Sequence, residues 1–316
     1  MAPGGLGQPI GRAPEPGAVA PITVDRVFTA WSWEWLPIVA VVVVGGCYLA
    51  GVTVLRRRRD RWSAWRSAAF VVGGLGTIVV ATCSSLGTYD DTLLSMHMVQ
   101  HMLLSMIAPV FFALGAPITL ALRTLPRTPR KVVLAILHST VARVLTFPAV
   151  TFGLFIATPW VLYFSGLYEA ALRSDPLHDL MHLHFLAVGC LFFWPLLGLD
   201  PMPVRVPHPF RVFTMFATLP FHAFLGVTIM SMSTLIGGNY YPDLHRGWPP
   251  SPMHDQNIAG GILWSSGDLI GFAVFLVLFV QWVRASQREA VRIDRRLDRE
   301  EAARRAVQSP QQPTRP

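Results

Sequence analysis

Ser95-Met96-His97-Met98-Val99-Gln100-His101-Met102 sets two histidines four residues apart inside a run too apolar to be anything but a membrane helix. At about 3.6 residues per turn, both imidazoles project from one face. A second apolar segment opens in the same way, with His178 and His182 in His178-Asp179-Leu180-Met181-His182-Leu183-His184. Ionisable groups are costly in lipid and face a bundle interior. The two pairs therefore point to one functional site built between two helices.

The surrounding chain supports that reading. Of 316 residues, 52% are hydrophobic and 14% charged, where a soluble domain has about a quarter of its residues charged. Apolar runs near the length that crosses about 30 Å of hydrocarbon recur at roughly 36–55, 67–87, 92–116, 143–164, 178–199, 211–236 and 258–283. The expected fold is all-α, a polytopic membrane bundle of about seven transmembrane helices. Pro148, Pro159 and Pro220 fall within the fourth and sixth runs and should kink them.

The formal charge of +8 follows the membrane and not a nucleic acid. Arg56, Arg57, Arg58, Arg59, Arg61 and Arg66 fill the first loop, Arg123, Arg127, Arg130 and Lys131 the third, and Arg205 and Arg211 the fifth. A further set from Arg284 to Arg305 follows the last run, while the alternate loops carry little beyond Arg173 and Arg246. By the positive-inside rule the N-terminus lies outside and the C-terminus in the cytoplasm. Both histidine pairs then sit in the outer half of their helices. No nucleic-acid partner is expected.

No cleavable signal peptide is apparent. Residues 1–30 read as a disordered and interfacial tail, and Trp31, Trp33 and Trp35, just before the first run, anchor the chain at the lipid headgroups. Residues 31–284 form the seven-helix domain, and 285–316 a basic cytoplasmic tail drawn to anionic membrane lipid. Cys47, Cys83 and Cys190 lie in apolar runs with no Cys-x-x-Cys spacing and read as small hydrophobes; Cys83, near the outer surface, is the one placed to touch a metal.

Met98, Met102 and Met106 form a ladder beside His97 and His101. Imidazole suits copper, zinc, iron and nickel, whereas thioether sulfur selects Cu(I), so the mixture narrows the cargo toward copper. Any single methionine is also an ordinary gap-filler of apolar cores. The candidate ligands are His97, His101, His178 and His182, with Met98 and Met102 as soft donors. Met181 lies beside the second pair. His184 projects from a different face, toward a backbone carbonyl or a supporting contact. His222 lies near mid-membrane, where it either guides an ion or braces the bundle, and Met230 lies toward the outer end of the same run. Tyr240, Tyr241 and Trp248, in the following outer loop, suit an interfacial cap over the site. Asp255, opening the last run, either orients a ligating imidazole or caps its helix. Asp90 and Asp91 either cap the third helix or attract a cation. His138 and His208 lie at the other end and read as structural.

Several chemistries are excluded. The only lysine is Lys131, at a cytoplasmic entrance, so no retinal Schiff base forms in the last span. Walker, dinucleotide, nucleophile-elbow and His-Glu-x-x-His motifs are absent, and an enzymatic role is not expected.

His97-Met98-Val99-Gln100-His101-Met102 running on to Pro109 and Gly115-Ala116-Pro117, Pro176-Leu177-His178-Asp179-Leu180-Met181-His182 leading to Phe192-Phe193-Trp194-Pro195, and Asp255-Gln256 with Gly260-Gly261 and Trp264 together resemble the CtaG family of cytochrome c oxidase assembly factors. The resemblance covers about residues 36–284; the Met content around His97 and the third histidine, His184, fall outside the pattern. It implies a bacterial inner-membrane protein that takes copper from a donor and delivers it to a subunit of a haem-copper oxidase. Rival readings of the same residues are a haem-binding membrane cytochrome, a copper transporter with His222 as the next station inward, and a metal-free assembly scaffold.

Overall fold

The computed structural model describes residues 20–308; the N-terminal end of the expected tail and the final Pro/Gln segment lie outside them. Six helices are long and apolar enough to cross a membrane. No strand occurs among the described residues. In chain order the elements that matter are α1 (Trp35–Arg57), α2 (Ala64–Tyr89), α3 (Leu94–Thr124), α4 (Pro148–Tyr163), α5 (Asp175–Leu197), α6 (His208–Ser231) and α7 (Pro252–Gln308). The expected fourth run is the exception in length. α4 has 16 residues, about 24 Å of helix, and is shorter than the other six.

The segment expected as an interfacial tail is partly ordered. Val24–Thr29 forms a short helix, and the stretch is tied down where the Ser85 hydroxyl donates to the Val27 carbonyl at 2.9 Å and the Ser32 amide to the Cys83 carbonyl at 3.0 Å. Trp33 and Trp35 remain exposed, as lipid-interface residues would be.

α3 runs through the middle of the bundle and is held by aspartates from distant parts of the chain. Its first amides have no partner within the helix, and a buried helix start needs one. Asp255, at the start of α7, supplies it: one carboxylate oxygen accepts from the Leu94 amide at 2.6 Å and the Ser95 amide at 3.4 Å, the other from the Ser95 hydroxyl at 2.5 Å. Further along, Ala116 adopts a left-handed φ of 47° and Pro117 cannot donate, so the helix breaks and restarts. Tyr48 donates to the Gly115 carbonyl at 2.8 Å. Asp200, just past α5, accepts from the Thr119 amide at 2.7 Å, the Thr119 hydroxyl at 2.6 Å and the Ile118 amide at 3.3 Å.

These ties fix directions. α3 and α5 both start at the Asp255 end and finish at the Asp200 end, and α4 returns the chain between them. The first arginine-rich loop gathers at the Asp200 end, where Arg58 donates to the Arg123 carbonyl at 3.1 Å and Asp60 pairs with Arg123 at 2.6 Å. α7 starts at the Asp255 end and continues for 57 residues, about 85 Å. That is far more than a bilayer needs, and its Arg/Glu-rich extension is exposed from Ser286 to Arg304.

Helices in lipid associate through close packing more than through hydrophobic drive. Gly189 lets α5 lie directly on the Ser105 carbonyl of α3, and a Cβ on Gly226 of α6 would stand 2.6 Å from the Gly260 carbonyl of α7. The main core gathers Met98, Met102, Met106, Phe155, Phe185, Phe192, Phe193 and Met215.

Candidate metal centre

Three of the four expected histidines meet. The ligand nitrogens of His97, on the first turn of α3, and of His178 and His182, on the first two turns of α5, all lie within 4.8 Å of one another. It is the one such group of His, Cys, Asp or Glu side chains among the described residues. His97 is completely buried. His178 and His182 show 15% and 12% of their side chains to solvent, so the cluster is reached from the α5 side.

Asp90 closes the group. It sits in the turn between α2 and α3, where the Thr92 and Leu93 amides donate back to the Tyr89 carbonyl. Its Oδ2 lies 3.1 Å from His178 Nε2 and 3.6 Å from His182 Nε2. Burial alone would raise this carboxyl, but the hydrogen bond with His178 and the nearby His178 and His182 charges bring it below its ordinary value. On the far side Tyr163, ending α4, places its hydroxyl 3.2 Å from His97 Nε2. The Tyr168 ring lies 5.0 Å from the His97 ring, and the Tyr168 hydroxyl meets that of Tyr241 at 2.7 Å. The loop before α7 therefore reaches the site through Tyr241.

The donors fit a metal ion. His97 Nδ1 and His182 Nε2 are buried without any hydrogen-bond partner, a cost that a bound cation removes. Three nitrogens about 2.0–2.1 Å from one ion stand about 3.3 Å apart in a tetrahedral arrangement, within reach by side-chain rotation. The surroundings are acidic. Burial and the Asp90 charge raise Asp91 to about 6, and burial with the Asp90, Asp179 and Asp91 charges raises Glu34 to about 7 against the pull of His178.

Other expected positions fall elsewhere. His101 shares the His97 face one turn deeper, but the facing position on α5 is Phe185, whose ring stands edge-on 4.0 Å from the His101 imidazole. An aromatic ring occupies the place where a matching ligand would be, and His101 Nδ1 is left buried and unpartnered. Met98 and Met102 are buried in the main core, as is Met181; residues adjacent to a histidine on a helix point about 100° away from it. His184 is exposed and meets the Thr158 hydroxyl at 3.2 Å. His222 is buried, its Nδ1 3.3 Å from the Thr218 carbonyl and its ring against Phe155 and Gly267. Met230 packs against Gly260. Asp255 caps a helix, as one of its two readings had it, but the helix is α3. Cys83 is buried beside Thr82, outside the histidine cluster.

Tyr163, Tyr168 and Glu34 were not among the expected site residues, and Asp90 entered only as a cap of the third helix or an attractor of a cation, without a place beside the histidines. The Asp90-Asp91 pair at a membrane edge was the visible signal for Asp90; nothing in the spacing of α4 marks Tyr163.

Fold and cluster define a multi-pass helical membrane protein built around a buried pocket of three histidines and one carboxylate. The chain belongs to the cytochrome c oxidase caa3 assembly factors, whose family model matches residues 46–285. Over 285 residues it is 39% identical to uncharacterized proteins of Mycobacterium bovis and Mycobacterium tuberculosis, and 36% identical to one of Mycobacterium leprae. These alignments cover 88% of the chain and 43% of each relative, so the chain spans less than half the length of the curated relatives it matches. No solved structure matches it.

Proposed function

We propose that the chain is a non-catalytic assembly factor that binds copper between α3 and α5 and passes it to a subunit of a haem-copper oxidase. The observation that carries this reading is the convergence of His97, His178 and His182, with Asp90 against the latter two, around buried nitrogens that lack partners. Imidazole-rich sites favour copper over other divalent first-row ions, and the family links the chain to a copper-containing oxidase. A partly exposed face at His178 and His182 suits ligand exchange with an acceptor. The arginine distribution supports a bacterial cytoplasmic membrane setting with the pocket on the extracytoplasmic side.

Copper analysis of the purified, copper-loaded protein tests the proposal. The wild type is expected to retain copper through desalting, and the His178→Ala/His182→Ala variant to fall to background. Equal retention by both would overturn it. An absorption spectrum of the same sample separates the cytochrome reading: a Soret band in the protein as purified would replace copper by haem.

A further inference from the structure

Within the pocket, the nature of the donors narrows the cargo further than copper as an element. The three imidazoles are joined by a carboxylate, Asp90 Oδ2, which lies 3.1 Å from one ring nitrogen and 3.6 Å from another. The cluster holds no cysteine. The methionines expected as soft donors are packed in the apolar core, where sulfur fills space between aromatic rings. Cu(I) is selected by thiolate and thioether, whereas nitrogen with a carboxylate oxygen suits Cu(II).

Charge points the same way. Asp90 is buried against His178 and His182, Asp91 follows it in the same turn, Asp179 follows His178 on α5 and Glu34 immediately precedes α1, so carboxylates gather at this end of the bundle. Arg246, the one arginine of the loop before α7, has its guanidinium over the Trp248 ring and bonded to the Pro250 carbonyl. No Arg or Lys pairs with these four carboxylates in the described ion pairs. The Asp90 carboxylate, unpaired with Arg or Lys, attracts a divalent cation more strongly than a monovalent one.

We propose that the pocket takes its metal as a divalent ion, with copper held as Cu(II), and that Asp90 is the ligand that sets this preference. The proposal rests on the copper reading of the same site. Zinc, a redox-inert divalent ion with the same taste for imidazole and carboxylate, should compete for the pocket.

The test uses the full-length protein in detergent. Cu(II) affinity is measured by competition with a chelator in air, and Cu(I) affinity by competition with a Cu(I)-specific chelator under anaerobic reducing conditions. The electron paramagnetic resonance spectrum of the Cu(II) form reports its nitrogen ligands. The wild type is expected to show a Cu(II) signal split by several nitrogens and displaced by Zn(II). Asp90→Asn should lose about 10-fold or more of Cu(II) affinity, as loss of an anionic contact to a metal site does, while Cu(I) affinity stays within about 3-fold; Asp90→Glu should recover Cu(II) binding.

Tighter binding of Cu(I) than of Cu(II) by the wild type would overturn the proposal and leave the copper reading standing. So would equal losses of both ions in Asp90→Asn when Asp90→Glu is normal. If both variants lose both ions, the Zn(II) competition and nitrogen splitting of the wild type decide: their presence upholds the divalent site, and their absence removes it. A wild type that holds copper in neither oxidation state would remove the proposed function itself.

Discussion

Glu34 stands half-buried at the mouth of the histidine pocket with its carboxyl raised to about 7, chiefly by burial and then by Asp90, Asp179 and Asp91. The folded protein therefore holds this proton more tightly than the unfolded chain, whose carboxyl titrates near its ordinary 4.5. Ionising Glu34 opposes folding. Its contribution is most favourable below about pH 4.5 and is lost as pH rises toward about 7. Asp91, raised to about 6, acts in the same sense. Glu34→Gln is expected to reduce, without abolishing, the fall in melting temperature between pH 5 and pH 8, measured in detergent without metal. An unchanged pH profile would show that Glu34 is solvated and not held among the other carboxylates. At this scale the sequence reveals what is periodic. His97, His178 and His182 could be found because spacing of four residues places them on a helix face, and His101 shares that spacing. What stands between His101 and the other three is Phe185 on another helix, a pairing that depends on the register between α3 and α5. The methionine ladder is equally periodic, but periodicity cannot say whether a stripe faces the pocket or the core. Asp90 lies in a turn outside any periodic run.

At the scale of elements, α3 depends on aspartates from elsewhere in the chain, Asp255 on α7 and Asp200 just past α5. Capping residues normally precede their own helix, which is why Asp255 is readable from sequence as a cap of α7 or a partner of an imidazole, whereas its oxygens are taken by Leu94 and Ser95 of α3. Asp255→Ala should leave the first amides of α3 unsatisfied at a cost of about 0.5–2 kcal/mol, typical of a lost cap. The expected outcome is a lowered melting temperature with unchanged copper stoichiometry. A variant of normal stability that loses its metal would instead place Asp255 in the pocket. The positions of the helices are legible from hydropathy because about 20 apolar residues are what a bilayer demands. The shortness of α4 is not, since its apolar run from 143 begins in a separate short helix, Thr140–Leu145, before Pro148. Nor is the left-handed turn at Ala116 visible from hydropathy: that position is apolar, and the geometry is sustained by Tyr48 and Asp200 from distant parts of the chain.

For the whole molecule, the strongest long-range feature is the separation of charge along the bundle axis. Glu34, Asp90, Asp91 and Asp179 surround the pocket at the end where α3 and α5 begin, while Arg58 and Arg123 mark the other end and the basic extension of α7 continues beyond it. In the proposed orientation, with positive charge retained on the cytoplasmic side, the pocket would face outward, toward the proposed cation source and acceptor. Because α7 is one continuous helix, the pocket and the exposed extension must lie on opposite sides of the bilayer if the helix crosses once. Single cysteines in a background lacking the three native ones read this directly. Gly166→Cys lies in the open loop between α4 and α5, with nothing within 4 Å of its new Cβ, and Gln287→Cys is exposed on the extension of α7. In intact cells a membrane-impermeant maleimide should label Gly166→Cys alone, and after permeabilisation it should label both. Labelling of Gln287→Cys in intact cells would reverse the topology and turn the histidine pocket toward the cytoplasm; labelling of both before permeabilisation would place the two ends on one side and exclude a single crossing by α7.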